Sequence, residues 1–323
     1  MLHFTSLLKP QALHVPDGLI SLPISVLFWA VSGILILIAS KRTQNELGER
    51  QIPLMGIMAA FIFAAQMINF PIAGGTSGHL MGGVLAAITL GPWGAILVMT
   101  SVIAVQALLF QDGGLLVMGA NMFNMGFLPV IIGYGLFRGV VSKRRGAQLT
   151  AAGIAAWLSV IAGALAASLQ LWLSGTALLT LVVPAMLGVH ALIGIGEALI
   201  TIAAVGFIMK VRPYLIAAQG AQPKGGLGWV IGGLAISAIV VLLAPLASVN
   251  PDGFERVAMN LGFLERGRGA PYEIFPDYTI TILGENALSI ILSGIIGTLV
   301  VATITIIYFR LIRRPVKAET GNR

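Results

Sequence analysis

The 323-residue chain is 57% hydrophobic and only 10% charged, with a mean hydropathy of +0.96. Soluble domains carry roughly 25% charged residues, so this composition excludes a soluble enzyme and points to a polytopic membrane protein. The absence of cysteine removes disulfides, thiolate metal sites and cysteine nucleophiles, and the net charge of +7 falls in short clusters between apolar runs, a topology signal rather than a nucleic-acid footprint.

In chain order, residues 1–12 read as a tail, since the stretch around Lys9 and Pro10 lacks the apolar run of a secretory signal. An all-α fold of nine spans is expected after it, at about 20–39, 53–71, 79–91, 92–111, 115–137, 149–173, 184–210, 228–247 and 286–309. The segment 79–91 is too short to cross alone. Bounded by Gly78 and by Gly91-Pro92-Trp93-Gly94, it predicts a short or broken helix surrounded by protein. The stretch 176–192, holding Pro184, Gly188 and His190, predicts an irregular entry into the next span. A polar, glycine-rich linker is expected at 213–227, between a seven-span body and a two-span hairpin whose large loop covers 248–285.

Basic residues follow alternate spans: Lys41, Arg42 and Arg50; Arg138, Lys143, Arg144 and Arg145; Lys210, Arg212 and Lys224; Arg310, Arg313, Arg314 and Lys317. Nine crossings put all four clusters on one face, cytoplasmic by the positive-inside rule. The amino terminus is then outside, the carboxy terminus inside, and loop 248–285 outside.

This topology brings two of the four histidines to the outer face. His14 lies in His-Val-Pro-Asp-Gly and His79 in Gly-Gly-Thr-Ser-Gly-His, both turns rather than apolar helix faces. Imidazole suits borderline transition metals, so a shared metal site is one reading and two packing histidines the other. His190 and Glu197, seven residues apart, share a helix face and serve either metal handling or an interhelical hydrogen bond. Asn121 and Asn124, and Asn69 with Gln66, are amides placed to orient ligands or to join helices. Met67, Met81, Met118, Met122, Met125 and Met186 offer soft donors, as for copper(I), or ordinary packing. No G-x-x-x-x-G-K-[ST] loop occurs, so any ATP hydrolysis belongs to another subunit.

Four stretches carry a family resemblance: His14-Val-Pro-Asp-Gly, Asn69 to Gly83, Gly119-Ala-Asn-Met-Phe-Asn-Met-Gly, and His190 to Glu197. They resemble the cobalt/nickel substrate-binding membrane components of energy-coupling-factor transporters, the CbiM/NikM family, over 13–212. Asn250-Pro251-Asp252-Gly253-Phe254-Glu255 resembles the PDGLE domain of the companion N component over 228–323, with Phe254 in place of leucine. The resemblance implies a non-enzymatic subunit in a bacterial or archaeal cell membrane. It would capture Ni(II) or Co(II) as transported substrate, with a transmembrane coupling subunit and two ATPase subunits driving uptake. In the family the metal is held by a terminal amine, by the backbone nitrogen and imidazole of the next histidine, and by the histidine of the G-T-S-G-H block. These positions carry over to Leu13, His14 and His79. Leu13 has a peptide nitrogen in the sequence as written, so the implied site needs a chain that starts at position 13, through initiation at a leucine-type codon or through cleavage. The rival readings are an ATP-independent permease, which would need a continuous path of intramembrane acids and histidines, and a non-transporting accessory subunit.

Overall fold

The computed structural model describes residues 14–46, 51–217 and 228–313. The tail, Leu13, most of the expected linker, Arg50, Lys224, Arg314 and Lys317 lie outside the described residues. Apolar runs become helices because a backbone without water must satisfy its own hydrogen bonds. They are α1 (Leu22–Glu46), α2 (Ile52–Gln66), α3 (Gly83–Leu109), α4 (Met118–Asn121), α5 (Leu128–Phe137), α6 (Arg145–Leu173), α7 (Leu179–Val211), α8 (Tyr214–Ala217), α9 (Gly228–Leu243), α10 (Gly253–Asn260) and α11 (Ala287–Ile312). A π-helical stretch, Met122–Phe127, joins α4 to α5. Among the described residues six helices are long and apolar enough to cross a membrane, and two shorter apolar helices run Ile52–Gln66 and Val230–Leu246.

The segments expected as separate spans at 79–91 and 92–111 are one helical element, α3, broken at Gly91 (φ 72°, ψ 172°) just before Pro92. Only glycine adopts that backbone cheaply, and the following proline could not have donated in an unbroken helix. A straight α3 would be about 40 Å long. Instead both ends reach the same layer of loops. Gln106, near its end, donates to Gln66 (2.8 Å), which donates to the carbonyl of Met81, just before its start (2.9 Å). The chain therefore folds back at Gly91, and the first arm, about 12 Å long, covers less than half of a hydrocarbon core.

Three further expectations are corrected. Of the stretch 176–192 only 176–178 is irregular: from Leu179, α7 runs unbroken through Pro184, which falls early in the helix and leaves only one carbonyl near its start without a donor. The second span ends at Gln66, and the fold is not wholly helical. Residues Phe70–Ile72 (β1) and Thr76–Gly78 (β2) form an antiparallel hairpin with Phe70 opposite Gly78. Asn69 consequently lies in the approach to the hairpin rather than on a helix end.

Two apolar clusters hold the fold. The larger, around Phe63, Leu85, Met99, Phe110 and Phe127, joins α2, α3 and α5 to α11. The smaller, including Val15, Leu19, Val117, Leu171, Met186, Phe254 and Phe263, lies beneath the histidine loops and draws on both halves of the chain.

Candidate metal site

His14 is fixed by the residues that follow it. The Asp17 carboxylate accepts from the backbone N–H groups of Leu115, Leu116 and Val117 at 3.0, 2.9 and 3.1 Å. These donors belong to the turn that leads into α4, so Asp17 fixes that turn from a distant loop. The Val15 carbonyl accepts from Gly114 N (3.0 Å) and from Asn121 Nδ2 (3.0 Å). A side chain at Gly114 would overlap the Asp17 carboxylate at 2.1 Å, so the approach of the two loops requires glycine there. Thus held, His14 is 2% exposed; its Nδ1 donates to the Asp112 carbonyl (3.1 Å) and lies 3.6 Å from Asp112 Oδ1.

His79 follows the β1–β2 hairpin. The next turn is gripped from both sides: Glu197 accepts from Met81 N (2.8 Å) and Gly82 N (3.3 Å), while Gln66 Nε2 donates to the Met81 carbonyl. Burial, and after it the neighbouring His14, hold the His79 imidazole down at about 4. The ring is therefore neutral in ordinary media and keeps a lone pair for a cation.

The two rings face each other with centroids 6.0 Å apart and planes inclined by 59°. One metal bound at about 2.0–2.1 Å to a nitrogen of each ring, with the nitrogens facing across it, places the centroids about 6 Å apart. His14 Nε2 is buried and has no hydrogen-bond partner. A buried polar atom left unsatisfied calls for a ligand or another explanation. Among the described residues no group of three or more His, Asp or Glu side chains could hold a metal.

Inward from His79 is a cavity of about 90 Å³, lined by His79, Asn121, Asn124, His190, Met81, Met125, Met186 and Asp252 among others. The structure thus gathers most of the anticipated residues, in differing roles. His190 faces this cavity, with Nδ1 donating to Met186 O (2.8 Å). Asn124 forms a reciprocal amide pair with Gln170 (2.8 Å both ways), a joint between helices. Glu197 acts on the His79 turn rather than as a lone carboxylate. Asn69 does not line the cavity; its carbonyl accepts from Ser248 N (2.7 Å).

Residues missed in the sequence close the site from above. Ser77 N donates to Pro251 O (2.9 Å), Ser77 Oγ to Asn250 O (2.8 Å), Arg256 to the Gly75 carbonyl, and Arg268 N to Asp17 O (2.7 Å). Asp252 caps α10 by accepting from Glu255 N (2.7 Å), and burial pushes its carboxyl well above the usual carboxylate range. Asp112 and Tyr278 belong to the same layer. The one sequence signal for Asp112 was a lone acid between apolar spans.

Residues 14–215 match the family model for the cobalt uptake substrate-specific transmembrane region, CbiM. The chain belongs to the CbiM family. Residues 227–314 match the PDGLE domain, so this member carries both modules in one polypeptide. A protein of Archaeoglobus fulgidus, provisionally named fused nickel transport protein NikMN, is 37% identical over 90% of this chain and 95% of its own length. The cobalt transport protein CbiM of Geobacter sulfurreducens is 31% identical over 68% of this chain and 65% of its own. A crystal structure of a transition metal transporter is 35% identical, with a TM-score of 0.56 over 61% of this chain and 93% of that one. CbiM-family chains are transition-metal transport proteins of the membrane, and this chain is one of them.

The grip of Glu197 makes a prediction about stability. Glu197→Ala strands two buried N–H groups, at about 1–3 kcal/mol each. A fall of several degrees in the thermal midpoint of the detergent-solubilised protein is expected, with Glu197→Gln, which keeps one acceptor, in between.

Proposed function

We propose that this chain is the substrate-binding subunit of an energy-coupling-factor importer of Ni(II) or Co(II), in which His14 and His79 hold the metal at the outer face. The observation that carries this reading is the orphaned Nε2 of buried His14 beside neutral His79, 6.0 Å between rings. In the chain with residues 1–12 attached, Nε2 is the His14 donor on offer; a free amine at Leu13 would instead recruit Nδ1. Asn121 supports His14 through Val15, Glu197 supports His79, and His190 and Asn124 line the inward cavity. The division proposed is a metal-binding domain at 13–212, a linker at 213–227 and a two-span module at 228–323.

Orientation supports the same reading. Helices α1, α5, α7 and α11 carry Lys41 and Arg42, Arg138, Lys210, and Arg310 toward the ends that lie away from the histidine loops. With those ends cytoplasmic, the histidines face outward. An ATP-independent permease fits less well, because both oxygens of Glu197, the one acid deep in a membrane-length helix among the described residues, are engaged by backbone N–H groups. Energy then comes from partners: a transmembrane coupling subunit and two ATPase subunits. Uptake of radioactive Ni(II) or Co(II) by cells expressing the chain alone, and with those partners, tests this. Uptake should require functional ATPases; equal uptake without them would overturn the coupled mechanism.

A further inference from the structure

The loop between α10 and α11 lies across the end of α3. Phe275 N donates to Leu109 O and Tyr272 OH to Leu108 O, each at 2.9 Å. Tyr278, further along it, is buried, stacked on Phe110 with ring centroids 4.8 Å apart. Asp277 and Tyr278 have φ of 50° and 58°, a left-handed backbone that non-glycine residues adopt only under constraint. Such strain costs roughly 1–3 kcal/mol per residue and persists where the surroundings over-determine it. Here Ser293 Oγ donates to the Tyr278 carbonyl, and the ring stacking fixes the side chain.

The phenol this arrangement delivers anchors one end of a hydrogen-bond chain. Tyr278 OH donates to Asp112 Oδ2 at 2.6 Å, and the Asp112 carbonyl receives His14 Nδ1. On the other side, Gln106 Nε2 donates to Gln66 Oε1, and Gln66 Nε2 donates to the Met81 carbonyl, two residues beyond His79. The Asp112 backbone N–H also donates to the Gln106 carbonyl at 3.1 Å. The supports of His14 and of His79 thus meet at Asp112, whose carboxylate accepts from a hydroxyl group contributed by the C-terminal module.

We infer that Tyr278 is a positioning residue for the metal site: its hydroxyl sets the placement of His14 relative to His79 without touching the metal. The inference rests on the proposed ligand role of the two histidines. Through this bond the C-terminal module acts on metal affinity, and Phe at this position keeps the ring packing while deleting it.

The test compares full-length wild type, Tyr278→Phe and the control Tyr272→Phe, which loses a partly exposed hydroxyl of the same loop. Equilibrium dialysis with Ni(II) should show a 10–100-fold weaker Kd for Tyr278→Phe, the range for residues that orient metal ligands, and a wild-type Kd for Tyr272→Phe. In the metal-free proteins, nitrogen NMR of labelled histidine should show a shifted His14 ring signal in Tyr278→Phe alone. Wild-type affinity, or weakened affinity with unchanged His14 signals, overturns the inference. His14→Ala and His79→Ala in the same dialysis separate the two levels. If they lose metal while Tyr278→Phe behaves as wild type, only the role of Tyr278 falls; if they bind as wild type, the ligand assignment falls with it.

Discussion

Ni(II) titrated into His14→Ala or His79→Ala protein is expected to bind more than 100-fold more weakly than in wild type, a loss of about 2.8 kcal/mol or more. The two imidazoles are the donors that meet among the described residues. The Asp112 carbonyl near His14 already receives its Nδ1, and the Asp112 carboxylate, with Oδ1 3.6 Å away, is held by Tyr278. Residues that merely orient a ligand cost 10–100-fold when removed, so loss of a donor should exceed that range. Isothermal titration with Ni(II) and Co(II) reads the effect directly. Wild-type affinity in either variant would remove that histidine from the site.

The second large effect concerns position 13. A protein produced with Leu13 as its first residue is expected to bind Ni(II) at least on the order of 10²-fold more tightly than the chain that keeps residues 1–12, because linked donors bind at high effective concentration. The amine of residue 13, the backbone nitrogen of His14 and its imidazole then close adjoining chelate rings around one metal. Closing a small ring through the histidine's own backbone nitrogen requires Nδ1. In the structure Nδ1 instead donates to Asp112 O at 3.1 Å, and Nε2 is the free atom. The shortened chain must give up that bond and displace a backbone proton, so its binding should also release more protons and weaken more steeply as pH falls. Titrations of both proteins at several pH values check both consequences. Equal affinity and equal pH dependence would mean that the amine is not a donor.

Much of the scaffold was legible because apolar runs of membrane length have few structural options. The break before Pro92 announced itself through Gly91 and the shortness of its flank. Pro184 misled because a proline near a helix start removes little, whereas the same residue mid-helix would have broken it. The β1–β2 hairpin escaped because strands of three residues, one of them Pro71, carry no readable alternation. At the site, His14 and His79 stood out as histidines placed in turns. Their supports did not. Glu197 grips a turn 116 residues earlier, and Tyr278 bonds an aspartate 166 residues away. Contacts of that separation leave no local pattern. The motif words Pro16-Asp17-Gly18 and Pro251-Asp252-Gly253 look alike, yet Asp17 holds a distant turn and Asp252 caps its own helix. Only the fold distinguishes them.

The central claim is that one transition-metal ion sits between His14 and His79. X-ray absorption at the nickel edge of purified, Ni(II)-loaded protein addresses it most directly, because imidazole rings give characteristic multiple scattering beyond the first shell. The account predicts two imidazoles per nickel at about 2.0 Å, falling to one in His14→Ala and in His79→Ala protein reloaded at high Ni(II). A wild-type spectrum with oxygen donors and no imidazole scattering, or one that is unchanged in either variant, would contradict it.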